Sequence, residues 1–210
     1  MTALRHDPVM AEETLRFLAL PKGGVAVDGT LGLAGHATLM AEAVGETGRL
    51  FAFDWDSAML KEAAARLESV PLAEKCLTNA DFRAIPSVLD DRGVRADGIL
   101  LDLGLSSVHL DDPSRGISFR EDGPLDMRMD RTKGEPAAAL LNRAAPDEIE
   151  RILWEEGDER WARAIAKAIV ARRRETPLRT TNDLVECVLA AVPPGARDKR
   201  IHPATRTFQA

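Results

Sequence analysis

The sequence predicts an α/β fold, in which a parallel, doubly wound sheet is followed by an all-helical domain. Up to about residue 102, short apolar strands alternate with helix-like segments. From about residue 136 to 192 the periodicity is helical, and no strand signal returns. With 210 residues, 45% of them hydrophobic and 30% charged, the chain is globular and long enough to bury a core.

Local signals predict each element of the first half. Asp7 and Pro8 predict the start of a first helix, which Pro21 to Gly24 end. Ser57 is expected to cap the third helix. The expected strands are 25–27, 50–53, 76–78 and 98–101, and the expected helices between them are about 36–44, 58–69 and 84–91.

The most informative segment joins the first two strands. Strand 25–27 leads into Asp28-Gly29-Thr30-Leu31-Gly32-Leu33-Ala34-Gly35-His36, and the second strand ends at Asp54, 19 residues after Gly35. Glycines let the backbone approach a ligand closely, and the acid accepts hydrogen bonds from ribose hydroxyls. The segment therefore predicts a nucleoside-cofactor site at the carboxyl ends of parallel strands.

The glycine spacing also bears on which cofactor binds. It is G-x-x-G-x-x-G, whereas dinucleotide enzymes have G-x-G-x-x-G. Asp28 precedes the turn, where it would repel a pyrophosphate and attract a cation. S-adenosylmethionine carries a sulfonium and an ammonium but no phosphate, so it is favoured over a nicotinamide dinucleotide. A βαβ turn without a ligand remains an alternative, in which Asp54 caps the next helix.

The second half begins with an irregular segment. Residues 103–134 are rich in glycine and proline and show little periodicity, which is typical of a functional loop. Pro146 then starts one helix, Pro177 separates two, and Thr180 or Thr181 caps the last. Spacing at helical intervals predicts a buried face that contains Trp154, Trp161, Ile165 and Ile169.

Composition and charge narrow the function classes. The two cysteines match no metal spacing and the four histidines are scattered, so no metal site is expected. No apolar run approaches the roughly 20 residues that span a membrane, and residues 1–7 lack a signal-peptide core, so a cytoplasmic protein is expected.

The net charge of −6 argues against nucleic acid binding, but its distribution does not. Residues 1–159 hold 17 basic and 30 acidic side chains, whereas residues 160–210 hold 11 and 4. The last quarter is therefore the candidate polyanion-facing surface. Four basic residues of this quarter follow the spacing i, i+3, i+7 and i+14, and we call them the basic stripe: Arg160, Arg163, Lys167 and Arg174. The basic stripe is either a solvated face or a contact with the RNA backbone.

Four longer motifs carry a family resemblance. They span residues 97–107, 115–119, 122–130 and 202–210, the third being Asp122-Gly123-Pro124-Leu125-Asp126-Met127-Arg128-Met129-Asp130. Together they resemble the bacterial small-subunit ribosomal RNA cytidine N4-methyltransferases, the RsmH (MraW) family, from His6 to Ala210. The resemblance implies a Rossmann-like class I methyltransferase sheet, a helical RNA-binding insert, S-adenosylmethionine as cofactor, and 16S rRNA, within the small ribosomal subunit, as partner.

The resemblance also implies roles for single residues. It matches Ala34, Gly35 and His36 to the cofactor loop, Asp54 to the ribose-binding acid, Phe82 to the residue beside the adenine, and Asp102 and His109 to further cofactor contacts. The family usually has glycine at position 34, and we expect alanine to fit there if its φ is negative. Phe82 as a core residue, and Asp102 as a residue that stabilises a loop end, stay open as alternatives.

Chemistry and motif position add four more expectations. Cytosine's exocyclic amine is a poor nucleophile, and Asp102 is the expected hydrogen-bond acceptor that activates it. Arg115, Arg128 and Arg206 lie in the family motifs. We expect them to bind phosphate, or to brace the loop through Asp111, Asp126 or Asp130.

The expected organisation has four segments. They are a cofactor domain (1–110), an irregular active-site segment (111–134), a helical RNA-recognition domain (135–200), and the start of a return to the sheet (201–210). The family pattern continues past Ala210, and a sheet that ends at strand four has an exposed edge. We therefore expect lower stability, slower reaction, or self-association, for instance as a homodimer.

Two other functions remain as alternatives to an rRNA methyltransferase. They are a methyltransferase for a small molecule or protein, and a catalytically inactive RNA-binding module in ribosome assembly.

Overall fold

The computed structural model describes residues 8–198 and 200–210, apart from the side chain of Ser107. It forms two compact units, Met1–Gly104 and Leu105–Ala210. The division falls after Gly104, so residues 111–134 lie in the second unit. Within the described ranges, no helix combines the length and apolar content that crossing a bilayer requires.

The first unit is a parallel sheet with connecting helices, which confirms the predicted α/β class. Its elements are α1 (Ala11–Leu18), β1 (Val25–Asp28), α2 (Gly35–Val44), β2 (Arg49–Asp54), α3 (Ser57–Leu67), β3 (Glu74–Asn79), α4 (Ile85–Asp91) and β4 (Gly98–Leu100). The strand order is β3-β2-β1-β4, with all pairs parallel. The order reverses between β1 and β4, which is where open α/β sheets bind ligands.

Both faces of the two central strands are buried. Leu50 and Ala52 belong to the core cluster that includes α2 and α3, whereas Phe51 and Phe53 pack with Ile85 of α4 on the other face. This explains why β1 and β2 are continuous apolar runs without alternation. Strand β4 is at the edge of the described sheet, and its Ile99 is 48% exposed.

Two helix starts in this unit differ from the prediction. Helix α1 begins at Ala11, because Met10 has a left-handed backbone with φ of 53° and Pro8 lies outside the helix; Asp7 lies outside the described residues. Helix α3 is capped by Asp56 and not by Ser57, since Asp56 Oδ1 accepts the Ala58 N–H at 2.8 Å. Aspartate and serine are comparable caps, so neighbouring candidates are hard to rank from sequence.

The second unit is helical, as predicted. Its helices are α5 (Ser107–Asp111), α6 (Ala137–Arg143), α7 (Pro146–Glu155), α8 (Ala162–Glu175), α9 (Thr181–Ala191) and α10 (Thr205–Gln209). Pro146 starts α7, and Thr180 caps α9 in a capping box with Asp183. Helix α5 was not predicted; Ser106 begins it by accepting the Val108 N–H.

The hydrophobic core of this unit lies between α7, α8 and α9. Ile149 and Leu153 of α7 are buried there with Ile165 and Ile169 of α8, all in one cluster. The prediction for Trp154 was wrong, because Trp154 follows Leu153 on α7 and falls outside the buried face. Trp161, at the N-terminal cap position of α8, packs partly buried against the cluster, as predicted.

Candidate cofactor and catalytic site

The glycine-rich loop between β1 and α2 is held at the carboxyl edge of the sheet. The Gly29 N–H donates to the Leu100 carbonyl at 2.9 Å, and the Gly32 N–H donates to Asp54 Oδ2 at 2.8 Å. A Cβ on Gly29 would lie 2.4 Å from Leu101 Cδ2, so a larger residue would force the Leu101 side chain to move. The loop is therefore tied to both β2 and β4 before any ligand binds.

Asp54 ends β2 and is the predicted ribose-binding acid. Its carboxylate accepts the N–H groups of Gly32, at 2.8 Å, and Asp56, at 2.9 Å. Asn79 at the end of β3 donates to the carbonyls of Asp54 and Trp55. Each carboxylate oxygen can accept more than one hydrogen bond, so Asp54 can brace the loop and still accept from hydroxyls. It does not cap α3, because Asp56 does.

Asp28 is buried directly beneath the loop, where it accepts the Thr30 N–H at 3.0 Å. Burial raises the pKa of the Asp28 carboxyl to about 6; the Thr30 hydrogen bond and His36 act against this rise, and Asp54 and Asp102 add to it. Three carboxyl groups therefore lie near the same edge of the sheet. Their combined potential favours a cationic ligand over a pyrophosphate.

The raised pKa of Asp28 makes stability depend on pH. Between about pH 4 and 6 the folded state binds more protons than the unfolded state, so the free energy of unfolding should fall as pH rises, by up to about 3 kcal/mol. Asp28→Asn keeps an acceptor for the Thr30 N–H and removes the charge. The variant should lose most of this decline and be more stable than the wild type above pH 6, as measured by urea unfolding at pH 4.5 and 7.5. Parallel pH profiles for the two proteins would contradict the assignment.

Asp102 follows β4 and presents an exposed carboxylate beside the loop. Its backbone N–H donates to Thr30 Oγ1 at 2.7 Å, and its side chain is 54% exposed. Asp102 Oδ2 lies 3.7 Å from Nδ1 of His36, in the first turn of α2. The structure thus brings Asp54, His36 and Asp102 to one edge, although they are far apart in sequence.

Ala34 does not meet the condition set for a close fit. Its φ is +62° at the N-terminal cap of α2, whereas alanine was expected to fit there only with a negative φ. A left-handed conformation costs a residue with a Cβ roughly 1–2 kcal/mol. Its buried methyl group packs in the core of the first unit. Glycine would adopt this conformation without that cost.

Two aromatic residues lie close to the loop or to Asp54. Phe82 lies in the 3-10 turn Phe82–Ala84 after β3 and packs partly buried against the core around Ile85, and its Cβ is 3.0 Å from where a Cβ on Gly29 would lie. Trp55, directly after Asp54, is 43% exposed. Trp55 was not among the predicted site residues, although its position next to the predicted ribose-binding acid was a usable signal. His109 lies in α5 of the second unit and is buried.

Comparison with known proteins assigns the chain to a family. The sequence profile of the MraW methylase family matches residues 3–210. The chain belongs to this family. Two relatives share the name ribosomal RNA small subunit methyltransferase H. The protein from Geotalea uraniireducens is 47% identical and the one from Pelobacter propionicus 48% identical, each over 100% of this chain and 67% of its own length.

The chain therefore spans about two thirds of the length of these relatives. Among solved structures, NSun6 from Pyrococcus horikoshii is 27% identical over 46% of this chain and 24% of its own, with a TM-score of 0.38. That score is too low to bear on the fold.

Two arginines of the MraW methylase motifs brace the second unit internally. Arg115 is buried and donates to the Met129 carbonyl at 3.1 Å. Arg128 binds Asp126 through Nε at 2.7 Å and Nη2 at 3.0 Å, and this pair holds the pKa of Asp126 below its usual range. Their bonding corresponds to the bracing alternative for the irregular segment.

The closing motif of the family packs within the same unit. The Phe208 ring lies 4.8 Å from that of Phe119, and the His202 ring lies at the same distance on Phe119. Arg206 donates to the Asp158 carbonyl at 2.7 Å. The motifs around Phe119 and at 202–210 therefore form one structural cluster.

The basic stripe has a different environment. All four side chains are exposed, and none has a carboxylate partner in the part of the chain that the structure describes. Two other arginines of α8 are engaged: Arg172 pairs with Asp183 at 3.1 Å, and Arg173 donates to the Leu141 carbonyl at 2.6 Å. Arg160 precedes α8, whereas Arg163, Lys167 and Arg174 lie on it, so α8 carries both cations that bond within the unit and cations that face solvent.

Proposed function

We propose that this protein is an S-adenosylmethionine-dependent methyltransferase that adds a methyl group to the exocyclic N4 amine of a cytidine in 16S rRNA. The observation that carries the proposal is the exposed carboxylate of Asp102 beside the glycine-rich loop, at the switch point of an MraW-family sheet. The shared name of the relatives supports small-subunit rRNA as the substrate.

The residues around the loop fit the cofactor. Asp54 offers acceptors for ribose hydroxyls, Trp55 offers an exposed aromatic face beside it, and Asp28 adds to the negative potential. S-adenosylmethionine, when bound, supplies an electrophilic methyl group on its sulfonium. Negative potential at this edge favours that positively charged group.

Asp102 is the proposed activator of the amine. The lone pair of the cytosine amine is delocalised into the ring, so an acceptor that draws on an N–H raises electron density on nitrogen. Asp102 is exposed enough to reach a base, and it accepts the amine proton as nitrogen is alkylated. The cytosine has to be unstacked from structured RNA to reach this edge.

Loss of the ribose acid should weaken the cofactor. Hydrogen bonds to a carboxylate contribute roughly 1.5–3 kcal/mol each, so Asp54→Ala should lower S-adenosylmethionine affinity about tenfold or more. Asp54→Asn retains one acceptor for the Gly32 N–H and should lose less. Calorimetric titration measures both, with circular dichroism to verify folding. Unchanged S-adenosylmethionine affinity in the alanine variant would show that Asp54 does not bind the cofactor.

The basic stripe is the proposed contact with the RNA backbone. Replacing its four residues with glutamine should lower RNA affinity and reduce the slope of log K against log salt by up to about 3, at roughly 0.7 per single-strand phosphate contact. A matched control replaces four arginines that already pair with carboxylates, which are Arg83, Arg92, Arg143 and Arg151. Equal slopes for the two variants would show that the basic stripe is a solvated face and does not contact the RNA backbone.

Transfer of labelled methyl from S-adenosylmethionine tests the proposed activity. We expect label in 16S rRNA and none in 23S rRNA, with the Geotalea relative as the positive control. Label in a small molecule or protein fraction would indicate another substrate class. If the relative labels rRNA and this chain neither binds S-adenosylmethionine nor transfers methyl, the RNA-binding module is the better description.

A further inference from the structure

The imidazole of His36 connects the N-terminal segment to the proposed activating carboxylate. Its side chain is only 10% exposed, and Nε2 lies 2.9 Å from the Val9 carbonyl oxygen. A carbonyl oxygen only accepts, so Nε2 carries the hydrogen of this bond. In the neutral ring, Nδ1 therefore has a lone pair and no proton.

That lone pair faces Asp102. Nδ1 and Asp102 Oδ2 are 3.7 Å apart, which is an ion-pair distance and longer than a hydrogen bond. Without a proton, two acceptors face each other; with one proton, the pair becomes either a carboxylic acid that donates to Nδ1 or an imidazolium beside a carboxylate. The pair can therefore take up one proton and hold it between the two side chains.

The pair lies among other titratable groups. Asp28, at the end of β1, interacts electrostatically with both His36 and Asp102, and Asp54 acts on Asp28 from the end of β2. On the side of α1, the group that meets the ring is the neutral Val9 carbonyl, and Glu12 and Glu13 are exposed. Arg66 of α3 donates to the Leu33 carbonyl of the loop, so the groups that act on the pair from β1 and β2 are carboxyl groups while the cation of α3 is bonded to the loop backbone.

We propose that His36 Nδ1 is the acceptor behind Asp102 during methyl transfer, so that the two side chains share the proton that the amine loses. This inference rests on the proposed function. The amine nitrogen forms a bond to the methyl carbon, the electron pair of the carbon–sulfur bond stays on sulfur, and nitrogen gives one proton to Asp102. His36 is a positioning residue in this scheme, since it acts through Asp102 and does not touch the base.

The arrangement has a chemical advantage. A general base works best when its proton affinity matches the working pH, and imidazole ordinarily exchanges its proton between about pH 5 and 8. The His36 side chain is largely buried while Asp102 is half exposed, so the proton returns to solvent through Asp102 after the product leaves.

The sharing itself can be tested on the 210-residue protein without substrate. Nitrogen-15 and carbon-13 NMR should show an Nε2–H tautomer for His36, and its Nδ1 resonance should change over the same pH interval as the Asp102 carboxyl resonance. Asp102→Asn should alter the His36 profile. Independent titrations, together with an unaltered profile in Asp102→Asn, would overturn the proposal whether or not the enzyme is active.

Kinetics test the role in transfer. His36→Gln retains a donor for the Val9 carbonyl but has no basic nitrogen, so single-turnover N4-methylation at pH 7 should fall about tenfold. Its rate should then rise with added imidazole buffer, since a solvent base must take the proton from Asp102. Wild type and His202→Gln should not respond. A His36→Gln rate that is normal, or low but insensitive to imidazole, would refute the inference; absence of N4-methylation in the wild type would refute the proposed function instead.

Discussion

Replacing Gly116 with alanine should lower the free energy of unfolding of the second unit by more than about 4 kcal/mol. Single substitutions have so large an effect only when they disrupt the backbone or the core. Gly116 has φ of +66°, and a Cβ there would lie 2.1 Å from the Pro124 carbonyl oxygen and 2.8 Å from the Asp126 nitrogen. These backbone atoms cannot easily move, because Pro124 pairs with Thr180 and its carbonyl accepts the Asp126 N–H.

Gly134→Ala is the matched control for this change. Gly134 has the same φ of +66°, and nothing lies within 4 Å of the position that a Cβ would occupy, so only the left-handed strain of roughly 1–2 kcal/mol applies. Urea unfolding followed by tryptophan fluorescence should report a far larger loss for Gly116→Ala. Equal losses for the two variants would show that the close backbone approach at Gly116 does not exist in solution.

Asp102→Asn should reduce the rate of methyl transfer by about 10²–10⁴-fold, the usual contribution of a general base. The Asp102 backbone is fixed by its N–H bond to Thr30, so an isosteric side chain should keep the loop in place. Asparagine is a weaker acceptor, and its amide can direct an N–H toward the amine. S-adenosylmethionine affinity should change much less than the rate.

Asp111→Asn controls for the change in net charge. Asp111 is exposed, and among the residues that the structure describes it forms only a 3.8 Å surface pair with Arg120, so its loss should leave the rate nearly unchanged. Single-turnover rates and calorimetric affinities distinguish chemistry from binding. If Asp102→Asn lowers affinity as much as rate, Asp102 is a cofactor ligand and not the activator of the amine.

The sequence was sufficient where local signals decide structure. Short apolar runs between turns located β1 to β4, and their alternation with helices predicted the parallel sheet. Because the carboxyl ends of parallel strands meet at one edge, Asp54 and Asp102 could be expected near the glycine-rich loop. These inferences need only the order of elements.

Other features depend on tertiary contacts, which cannot be inferred from a single sequence. The left-handed Ala34 requires knowledge of how the loop meets β2 and β4. Whether an arginine faces solvent or binds within its own unit, as Arg115 and Arg128 do, depends on which loop segments come together. The partial burial of Phe82 has the same cause, since it depends on packing around Ile85 of α4.

Identification of the methylated nucleoside tests the central claim most directly. After reaction of the protein with 16S rRNA and labelled S-adenosylmethionine, complete digestion and mass spectrometry locate the label. The proposed chemistry at Asp102 predicts label in N4-methylcytidine, at a much lower level for Asp102→Asn. Label on carbon 5 of the base or on a ribose hydroxyl would contradict it, because neither reaction uses an acceptor for an exocyclic amine.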